Sequence, residues 1–503
     1  MNAYLTGLLA GLMALLAGCA TNPSPTDSPN IILILTDDQT YDAVHALGNA
    51  EIQTPNIDRL VNGGTTFTHA YNMGAWGGAV CQASRAMIIS GRTVWRANEF
   101  RQNWRKGDSL EMTWPKLMEQ AGYETYMTGK WHVDAPAQKV FQHTAHIRAG
   151  MPKDHWNHGK QKALFDSLKQ IGQTEKFLDL MPVGYSRPMS PEDQSWLPTD
   201  SAHGGFWKGG KHWSEVLKDD ALEYLDSATT RDQPYFMYLA FNAPHDPRQA
   251  PQEYLDLYPL ENISLPPSYM ALNPDQDLIG CGPALRDEAL APFPRTEFAI
   301  KTHRREYYAL ITHMDEQIGK ILDAIEASPE ADNTYILFTA DHGLAVGNHG
   351  LVGKQNLYDH SMRVPLMVKG PGVPAGAKID APVYLQDIVP TALELAGTEI
   401  PEFVEFQSLM PHIRDDQAPR REEIYGGYIG VQRMIQTEGY KLHWYPRAEK
   451  IMLFDTHADP YELTDLSGEP SQQARIVQMW ELLRAQQEKL GDKLEMPAIE
   501  QLM

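Results

Sequence analysis

Short runs of apolar residues recur along the chain and alternate with stretches of amphipathic periodicity. The runs at 31–35, 234–241 and 334–340 have the length and composition of strands buried on both faces of a sheet. Before the last run, apolar side chains recur at alternating spacings of four and three, which is typical of a helix with one buried face. The members of this stripe are Tyr307, Ile311, Met314, Ile318, Ile321 and Ile325. The pattern predicts an α/β fold with a large, mostly parallel sheet sandwiched between helices.

The pattern changes after about residue 400, where the apolar segments become shorter and closer together. Their spacing predicts a small antiparallel sheet, with strands at 424–428, 432–437, 440–445 and 452–455. An amphipathic helix is predicted at 471–489. We therefore divide the chain into a main domain at 30–400 and a C-terminal subdomain at 401–503.

The first residues have the character of a targeting segment. Residues 4–18 are almost wholly apolar but too short to span a membrane, as in the core of a signal peptide. They end in Leu-Ala-Gly-Cys, which resembles the lipobox of bacterial lipoproteins and implies a signal peptide at 1–18 and lipidation of Cys19. Residues 19–29 would then be a tether, and the protein would be anchored by lipid in the bacterial cell envelope. An ordinary cleaved secretory leader is the alternative.

Charge and cysteine content limit the partners of the chain. With 65 acidic and 43 basic residues the formal charge is −22, and no long basic run is present, which argues against nucleic acid as a partner. An anionic substrate would need a local cluster of basic groups or metal.

The three cysteines are Cys19, Cys81 and Cys281, too few for a disulfide framework. A Cys81–Cys281 bridge is the structural alternative.

Polar side chains follow two of the predicted buried strands. Asp37 and Asp38 come directly after the first strand, and Asp341 and His342 follow the strand at 334–340. An open α/β sheet places its ligands at the carboxyl ends of its strands. Adjacent carboxylates repel each other unless a cation compensates, so a hard divalent metal is expected there. A turn that caps the next helix is the alternative for an isolated Asp-Asp pair.

The stretch 73–92 predicts a glycine-rich loop followed by a helix, with Cys81 at the helix N-terminus. The positive end of the helix dipole favours a thiolate and a bound anion at this position. A buried cysteine that packs under the helix is the alternative.

Basic and aromatic residues supply further candidates. Lys130 and His132 lie two apart at a predicted strand end and point the same way, and His245 stands between prolines, as suits a general acid. Residues 133–213 are predicted to be irregular, and they are rich in Trp and His: His155, Trp156, His158, Trp196, His203, Trp207, His212 and Trp213. From this set and the loop before Cys81 we select Trp76, His203, Trp207 and His212 as candidates to bind a sugar ring that carries anionic groups. Packing of aromatic side chains against the protein body is the alternative.

Several of these motifs resemble one family. Cys81-Gln82-Ala83-Ser84-Arg85 followed by a small-residue helix resembles the signature of the type I sulfatases, although that family usually has Pro where this chain has Ala83. The block at 129–132 resembles a second signature of the family. Further matches are His245, the pair Asp341-His342, Lys354, and the C-terminal segment 453–462. The resemblance covers almost the whole mature chain and implies an alkaline-phosphatase-like fold, with the catalytic domain at 30–400.

The resemblance also implies cofactors and roles. In that family the cysteine is oxidised to formylglycine (3-oxoalanine) by a maturation enzyme, and the hydrated aldehyde supplies the hydroxyl that attacks sulfur. Arg85 would orient this residue, and Lys130, His245 and Lys354 would hold sulfate, with His245 as acid for the leaving alcohol. His132 would contact the formylglycine and act as base. The implied metal ligands are Asp37, Asp38, Cys81, Asp341 and His342, and their oxygen-rich character favours Ca²⁺. An imidazole ligand is unusual for calcium, so His342 either lies behind the ligands or indicates another metal.

We expect hydrolysis of sulfate esters on a sulfated polysaccharide or oligosaccharide of algal type, such as ulvan, carrageenan or fucoidan. One alternative is a phosphonate monoester or phosphodiester hydrolase of the same fold. The other is a surface glycan-binding protein without catalytic activity, if Cys81 remains unmodified.

Overall fold

A computed structural model describes residues 28–150, 156–207, 209–415 and 417–502 of the chain. The predicted signal peptide at 1–18, the lipidation site Cys19, most of the tether at 19–29, and His155 lie outside the described residues. Within the described part, every helix is too short or too polar to cross a lipid bilayer.

The described residues form three sheets and a set of flanking helices. The strands are β1 (Asn30–Thr36), β2 (Thr65–Phe67), β3 (Ala70–Tyr71), β4 (Gly74–Ala75), β5 (Glu124–Lys130), β6 (His143–Arg148), β7 (Tyr235–Ala240), β8 (Thr334–Ala340), β9 (Arg363–Val364), β10 (Leu366–Lys369), β11 (Ala377–Ile379), β12 (Val383–Tyr384), β13 (Ile424–Tyr428), β14 (Gln432–Thr437), β15 (Tyr440–Tyr445) and β16 (Lys450–Asp455).

The α-helices lie between and around these strands. They are α1 (Ile57–Gly63), α2 (Val80–Ser90), α3 (Val94–Arg105), α4 (Trp114–Gln120), α5 (Ala137–Val140), α6 (His158–Gln170), α7 (Lys176–Asp179), α8 (Trp213–Ala228), α9 (Gln252–Asp256), α10 (Glu297–Ala327), α11 (Asp359–Met362), α12 (Ile388–Leu395), α13 (Met410–Arg414) and α14 (Gln473–Leu490).

The largest sheet has eight strands in the order β11-β2-β10-β8-β1-β7-β5-β6. All neighbouring strands are parallel except β10, which runs antiparallel to both β2 and β8. Strand β1 lies near the centre and every one of its residues is buried. The predicted α/β fold with a large, mostly parallel sheet between helices is therefore confirmed.

Alternate side chains of β1 enter two different hydrophobic cores, as the two-residue period of a strand requires. Ile31, Leu33 and Leu35 pack with side chains of α2, α4 and α12 on one face of the sheet. Ile32 and Ile34 pack with side chains of α1, α8 and α10 on the other face. Continuous apolar runs appear in the sequence because both faces of the sheet are covered.

The C-terminal sheet has five strands in the order β16-β15-β14-β13-β4, so the predicted antiparallel sheet is confirmed. Its last strand, β4, comes from the loop that leads to α2. A Cβ atom on Gly74 would lie 2.1 Å from the carbonyl oxygen of Gly427, so only glycine allows this close pairing. Helix α14 covers the sheet, and its Trp480 packs edge-on against Trp444. The C-terminal sheet thus fixes the loop that precedes Cys81.

Two local predictions were wrong. Residues 133–213, predicted to be irregular, contain α5, β6, α6 and α7. Strand β6 lies at the edge of the sheet and has intermediate to exposed side chains, so it lacks the apolar run that identifies a central strand. The segment 363–368, whose apolar residues predict one further core strand, forms two strands, β9 and β10, in different sheets. Pro365 separates them because it has no N–H for a ladder hydrogen bond.

Candidate active site

The predicted site residues lie at one edge of the main sheet, where its parallel strands end. Asp37 and Asp38 follow β1, Lys130 is the last residue of β5, and Asp341 follows β8. His245 lies in the loop after β7. Since β1, β5, β7 and β8 are mutually parallel, their carboxyl ends bring these side chains together.

Cys81 is the second residue of α2 and its side chain points into this group. The residue is 2% exposed. Its Sγ lies 3.0 Å from the Lys354 ammonium and 3.5 Å from Oδ1 of Asp38. Cys81 and Cys281 are both free thiols, which excludes the alternative of a bridge between them, and the Cys281 thiol donates to the carbonyl oxygen of Gln355 (3.1 Å).

The prediction that the helix dipole favours a Cys81 thiolate was wrong for the unmodified side chain. Burial raises the pKa of Cys81 well above its usual value, and the nearby carboxylates of Asp341, Asp37 and Asp38 raise it further. These effects outweigh the partial positive charge of the helix N-terminus. Burial and the carboxylates together favour the thiol form of Cys81 over the thiolate.

Each buried carboxylate of the site contacts a cationic side chain. Lys354 Nζ donates to both carboxylate oxygens of Asp38 at 2.7 and 2.5 Å, and Lys130 Nζ donates to Asp37. Arg85, on α2 one turn after Cys81, extends the same pairing to Asp341. Its Nε donates to Oδ2 of Asp341 at 2.8 Å, and its Nη1 donates to the carbonyl oxygen of Lys130 at 2.6 Å. All these side chains are almost completely buried.

Burial and charge act differently on the three carboxyl groups. Burial raises the pKa of Asp38 to about 8, although Lys354 opposes this shift. Burial, and then the charge of Asp341, raise the pKa of Asp37. Burial also disfavours ionised Asp341, but Arg85 and the two lysines outweigh it and hold the pKa of Asp341 below its usual value. The pair after β1 therefore needs more positive charge than the protein supplies, whereas Asp341 does not.

His245 presents one ring nitrogen to the site and anchors the other. Its Nδ1–H donates to the carbonyl oxygen of Asp246 (2.8 Å), which leaves the lone pair of the neutral ring on Nε2. Nε2 lies 3.6 Å from Asp38 and has no hydrogen-bond partner among the described residues. Burial, and then Lys354 and Lys130, lower the pKa of His245 well below its usual value. His245 is thus a neutral imidazole with a free nitrogen aimed at the carboxylate pair.

His132 and His342 are also neutral. His132 has a left-handed backbone (φ 53°), packs against Gly150, and has a pKa lowered to about 3 by burial and by Lys130. His342 is buried, its Nδ1–H donates to the carbonyl oxygen of Gly343 (3.0 Å), and burial lowers its pKa to about 4. The roles assigned to both residues stay predictions.

One group of side chains in the site could hold a metal ion. Asp37, Asp38, Cys81 and His245 each offer one ligand atom, and these atoms all lie within 4.8 Å of one another. Oδ1 of Asp37 is buried without a hydrogen-bond partner among the described residues, as expected for an oxygen that binds a metal. The group shares three members with the predicted ligands. Both oxygens of Asp341 are engaged by protein donors, Arg85 and the Asp38 amide, and ligation by Asp341 and His342 stays a prediction.

The four predicted substrate-binding residues lie in different places. A cavity at the strand ends, which we call the catalytic cavity, is lined by Asp37, Lys130 and His245. His212 also lines it, but both of its ring nitrogens bond to backbone: Nδ1 accepts from the Ser214 amide at the start of α8, and Nε2 contacts the Gln249 carbonyl oxygen. His203 stacks on Trp196 next to a neighbouring cavity. Trp207 packs edge-on against Trp213. Partly buried Trp76 packs against the cores, with Arg101 over its ring. Their contact with a sugar stays a prediction.

Sequence reasoning missed Arg148. It is the last residue of β6, is paired in register with Lys130, and lines the same cavity as Lys130 and His245. Its guanidinium packs over Trp213 at 5.1 Å and has no ion pair among the described residues. Because β6 lacks an apolar run, Arg148 could not be recognised as a strand-end residue.

Comparison with known proteins identifies two family matches. The family described as Sulfatase matches residues 29–398, and the family described as N-sulphoglucosamine sulphohydrolase, C-terminal, matches residues 347–489. The chain is 27% identical to an N-acetylglucosamine-6-O-sulfatase of Bacteroides thetaiotaomicron, over 96% of this chain and 91% of that one. It is 28% identical to an ulvan-active sulfatase of Formosa agariphila, over 93% and 82% of the two chains.

Solved structures share the fold. One, in complex with its substrate D-glucosamine-2-N,6-O-disulfate, matches with a TM-score of 0.68 and 24% identity, over 93% of this chain and 99% of that chain. Another, a phosphonate monoester hydrolase from Silicibacter pomeroyi, matches with a TM-score of 0.69 and 21% identity, over 92% and 96% of the two chains.

Replacement of Arg85 by Met tests the charge balance of the site. The change leaves Asp341 buried beside two other carboxylates with one fewer cation, and loss of one partner of a buried pair costs about 3–5 kcal/mol. We expect the free energy of unfolding, measured by urea denaturation with chelator present, to fall by about this amount. Arg414→Met, which removes an exposed arginine paired with Glu394, should change it by less than about 1 kcal/mol. Equal stability of Arg85→Met and wild type would contradict the account.

Proposed function

Because this chain belongs to the sulfatase family and is a sulfuric ester hydrolase, we propose that it removes sulfate from a sulfated polysaccharide or oligosaccharide by means of a formylglycine made from Cys81. The observation that carries the proposal is the position of Cys81. It opens α2, is buried, and contacts both Asp38 and Lys354. A nucleophile generated at this side chain would lie among the charged groups that a sulfate ester requires.

Formylglycine, in its hydrated form, supplies one hydroxyl to attack sulfur and a second to release sulfate. The protein has to hold that residue in one orientation and exclude bulk water. Helix α2 does the first, because the side chains around Cys81 on this helix are buried, including Arg85. Asp38, 3.5 Å from Sγ, is placed to accept a proton from a hydroxyl at this position.

The basic residues complement a sulfate group and its leaving oxygen. Lys130 and Lys354 are ammonium groups with three donors each, and they now contact Asp37 and Asp38. With those carboxylates engaged by a cation, both lysines can donate to sulfate oxygens. His245 Nε2 faces the same space. Its proposed role as the acid for the leaving alcohol requires this nitrogen to be protonated, and the negative charge of a bound sulfate ester would favour that proton. Arg148 lines the cavity and adds positive charge.

We propose Ca²⁺ as the divalent ion, held by Asp37 and Asp38 and joined by residue 81 after its conversion, with Asp341 and His342 as further candidate ligands. Oδ1 of Asp37 is a buried carboxylate oxygen without a hydrogen-bond partner among the described residues, and this supports a hard ion that binds oxygen ligands. Such an ion would supply charge neutralisation and lower the pKa of a hydroxyl.

The proposal of a carbohydrate substrate is supported by the names of two relatives and by the side chains that line the cavity. Both relatives described above act on carbohydrates by name. The cavity walls include His212, the N-cap residue of α8, and Trp213, the first residue of that helix. Aromatic walls beside cationic groups suit a sugar ring with anionic substituents.

A phosphonate monoester or phosphodiester hydrolase is the second candidate, since a phosphonate monoester hydrolase shares the fold. Rates on matched esters separate the two. We expect mature protein to cleave 4-nitrophenyl sulfate with a kcat/KM at least about a hundredfold above that for 4-nitrophenyl phenylphosphonate. The ratio measures how much better the site stabilises the transition state of sulfate transfer than that of phosphonate transfer. It should also release free sulfate from ulvan or carrageenan oligosaccharides. Cys81→Ala should abolish both activities. Faster cleavage of the phosphonate would favour the second candidate.

The metal proposal is tested by thermal unfolding of chelator-treated protein. Added Ca²⁺ binds the folded state and should raise Tm by a few degrees at saturating concentration. Mg²⁺ at the same concentration should raise it less, because Mg²⁺ gives up its water reluctantly. Asp37→Asn should remove most of the Ca²⁺ response. An unchanged response in Asp37→Asn would mean that Ca²⁺ binds elsewhere.

A further inference from the structure

A second cavity, of about 260 Å³, adjoins the catalytic cavity. The two share Asp246 and Pro247 in their walls. Arg187, Arg248 and Arg286 line the second cavity, and we call it the arginine cavity. Its other walls include Trp196 and His203 from the long insertion before α8, and His303 from α10.

Two of the three arginines are paired with acids. Arg187 donates to both oxygens of Glu306 at 2.8 and 2.7 Å. Arg286 donates to Asp246 and to Asp287 at 3.0 Å each. Asp246 also lies 3.2 Å from Nδ1 of His245, so it connects the arginine cavity to the catalytic site. These ion pairs fix the walls of the cavity and leave little charge uncompensated there.

Arg248 differs because its hydrogen bonds reach no acid in the described part of the chain. The residue is 2% exposed. Its Nη1 donates to Nδ1 of His303 at 2.6 Å, while His303 Nε2–H donates to the carbonyl oxygen of Arg187 at 2.8 Å. A ring that accepts on one nitrogen and donates on the other is neutral, so His303 does not balance the charge. Nε of Arg248 is buried with no hydrogen-bond partner among the described residues.

Asp246 and Glu306 attract Arg248 through space, but neither accepts a hydrogen bond from its guanidinium. A buried charged donor without an acceptor is costly, and a ligand that supplies an anionic acceptor oxygen would remove that cost. A carboxylate or sulfate also matches the planar fork of a guanidinium, whose donors bond such groups in pairs. Trp196 offers little to a sugar ring here, because it is 9% exposed and Arg187 lies over its face at 3.6 Å. The cavity therefore recognises charge rather than an apolar ring face.

We propose that the arginine cavity binds a second acidic group, a carboxylate or a sulfate, of the same substrate whose sulfate ester is cleaved in the adjoining site. The inference rests on the proposed function and restricts its substrates to glycans with at least two acidic groups near each other. Arg248 is the residue that recognises the second group. Arg187 and Arg286 shape the cavity.

The test compares two probes that differ at the 2-position, N-acetyl-D-glucosamine 6-O-sulfate, which is neutral there, and D-glucosamine-2-N,6-O-disulfate, which carries a second sulfate there. Each is measured as a competitor of 4-nitrophenyl sulfate hydrolysis by mature protein, and by calorimetric titration of full-length protein, which needs no turnover. The variants are Arg248→Met, which removes the charge, and Arg248→Lys, which keeps it. Arg484→Met removes an exposed arginine on α14 and is the control for net charge. Thermal unfolding verifies that each variant is folded.

Wild type should bind the disulfated probe at least about tenfold more tightly than the monosulfated one, the effect expected of one charge-assisted contact. Arg248→Met should lose this preference and keep kcat/KM for 4-nitrophenyl sulfate within about threefold. Arg248→Lys should retain part of the preference, and the control variant all of it.

Equal binding of the two probes by wild type, absence of binding by either, or full preference in Arg248→Met would overturn the inference. Failure of the proposed function would look different, because mature wild type would then hydrolyse no sulfate ester. In that case the difference in affinity between the two probes, measured by calorimetry, still decides the inference.

Discussion

Three buried carboxylates at the end of the central strands impose the constraint on which the rest of the site depends. An unpaired charge in a protein interior costs several kcal/mol, so Asp37, Asp38 and Asp341 can be kept together only if cations lie against them. The protein supplies two lysines and one arginine for this purpose. The positive charge of these side chains holds the pKa of Asp341 below its usual value, but the pKa values of Asp37 and Asp38 stay raised. That remaining demand for positive charge supports the metal site proposed beside Cys81.

The partners in this balance come from distant parts of the chain. The acids follow β1 and β8, Lys130 ends β5, Arg85 lies on α2, and Lys354 lies in the loop beyond β8. Their charges can be balanced only when the sheet and the surrounding elements are assembled, which couples the site to the fold. The C-terminal sheet takes part, because β4 pairs with β13 and so fixes the loop that leads into α2. Sulfate chemistry thus lies on rigid elements, whereas the long insertion before α8 forms the walls beyond it.

The central strands and most of the site could be predicted because both leave strong local signals. A strand covered on both faces is a continuous apolar run, and Asp37, Asp38 and Asp341 directly follow such runs. Lys354 was found through family resemblance alone, since it has no distinctive local pattern, whereas His245 was indicated by the neighbouring prolines and then by the resemblance. Arg148 and Arg248 could not be found. The first ends an edge strand without an apolar run, and the significance of the second depends on His303, more than fifty residues away, being neutral. The state of the Cys81 thiol was also mispredicted, because carboxylates distant in sequence outweigh the helix dipole.

The most direct test of the account is mass spectrometry of the peptide that contains Cys81, on the same preparation in which release of sulfate is measured. The account predicts that the thiol has been replaced by the aldehyde of formylglycine, and that the released sulfate rises in proportion to the converted fraction. An intact thiol in a preparation that cleaves sulfate esters would contradict it, since activity would then come from a site that does not use residue 81 in this way.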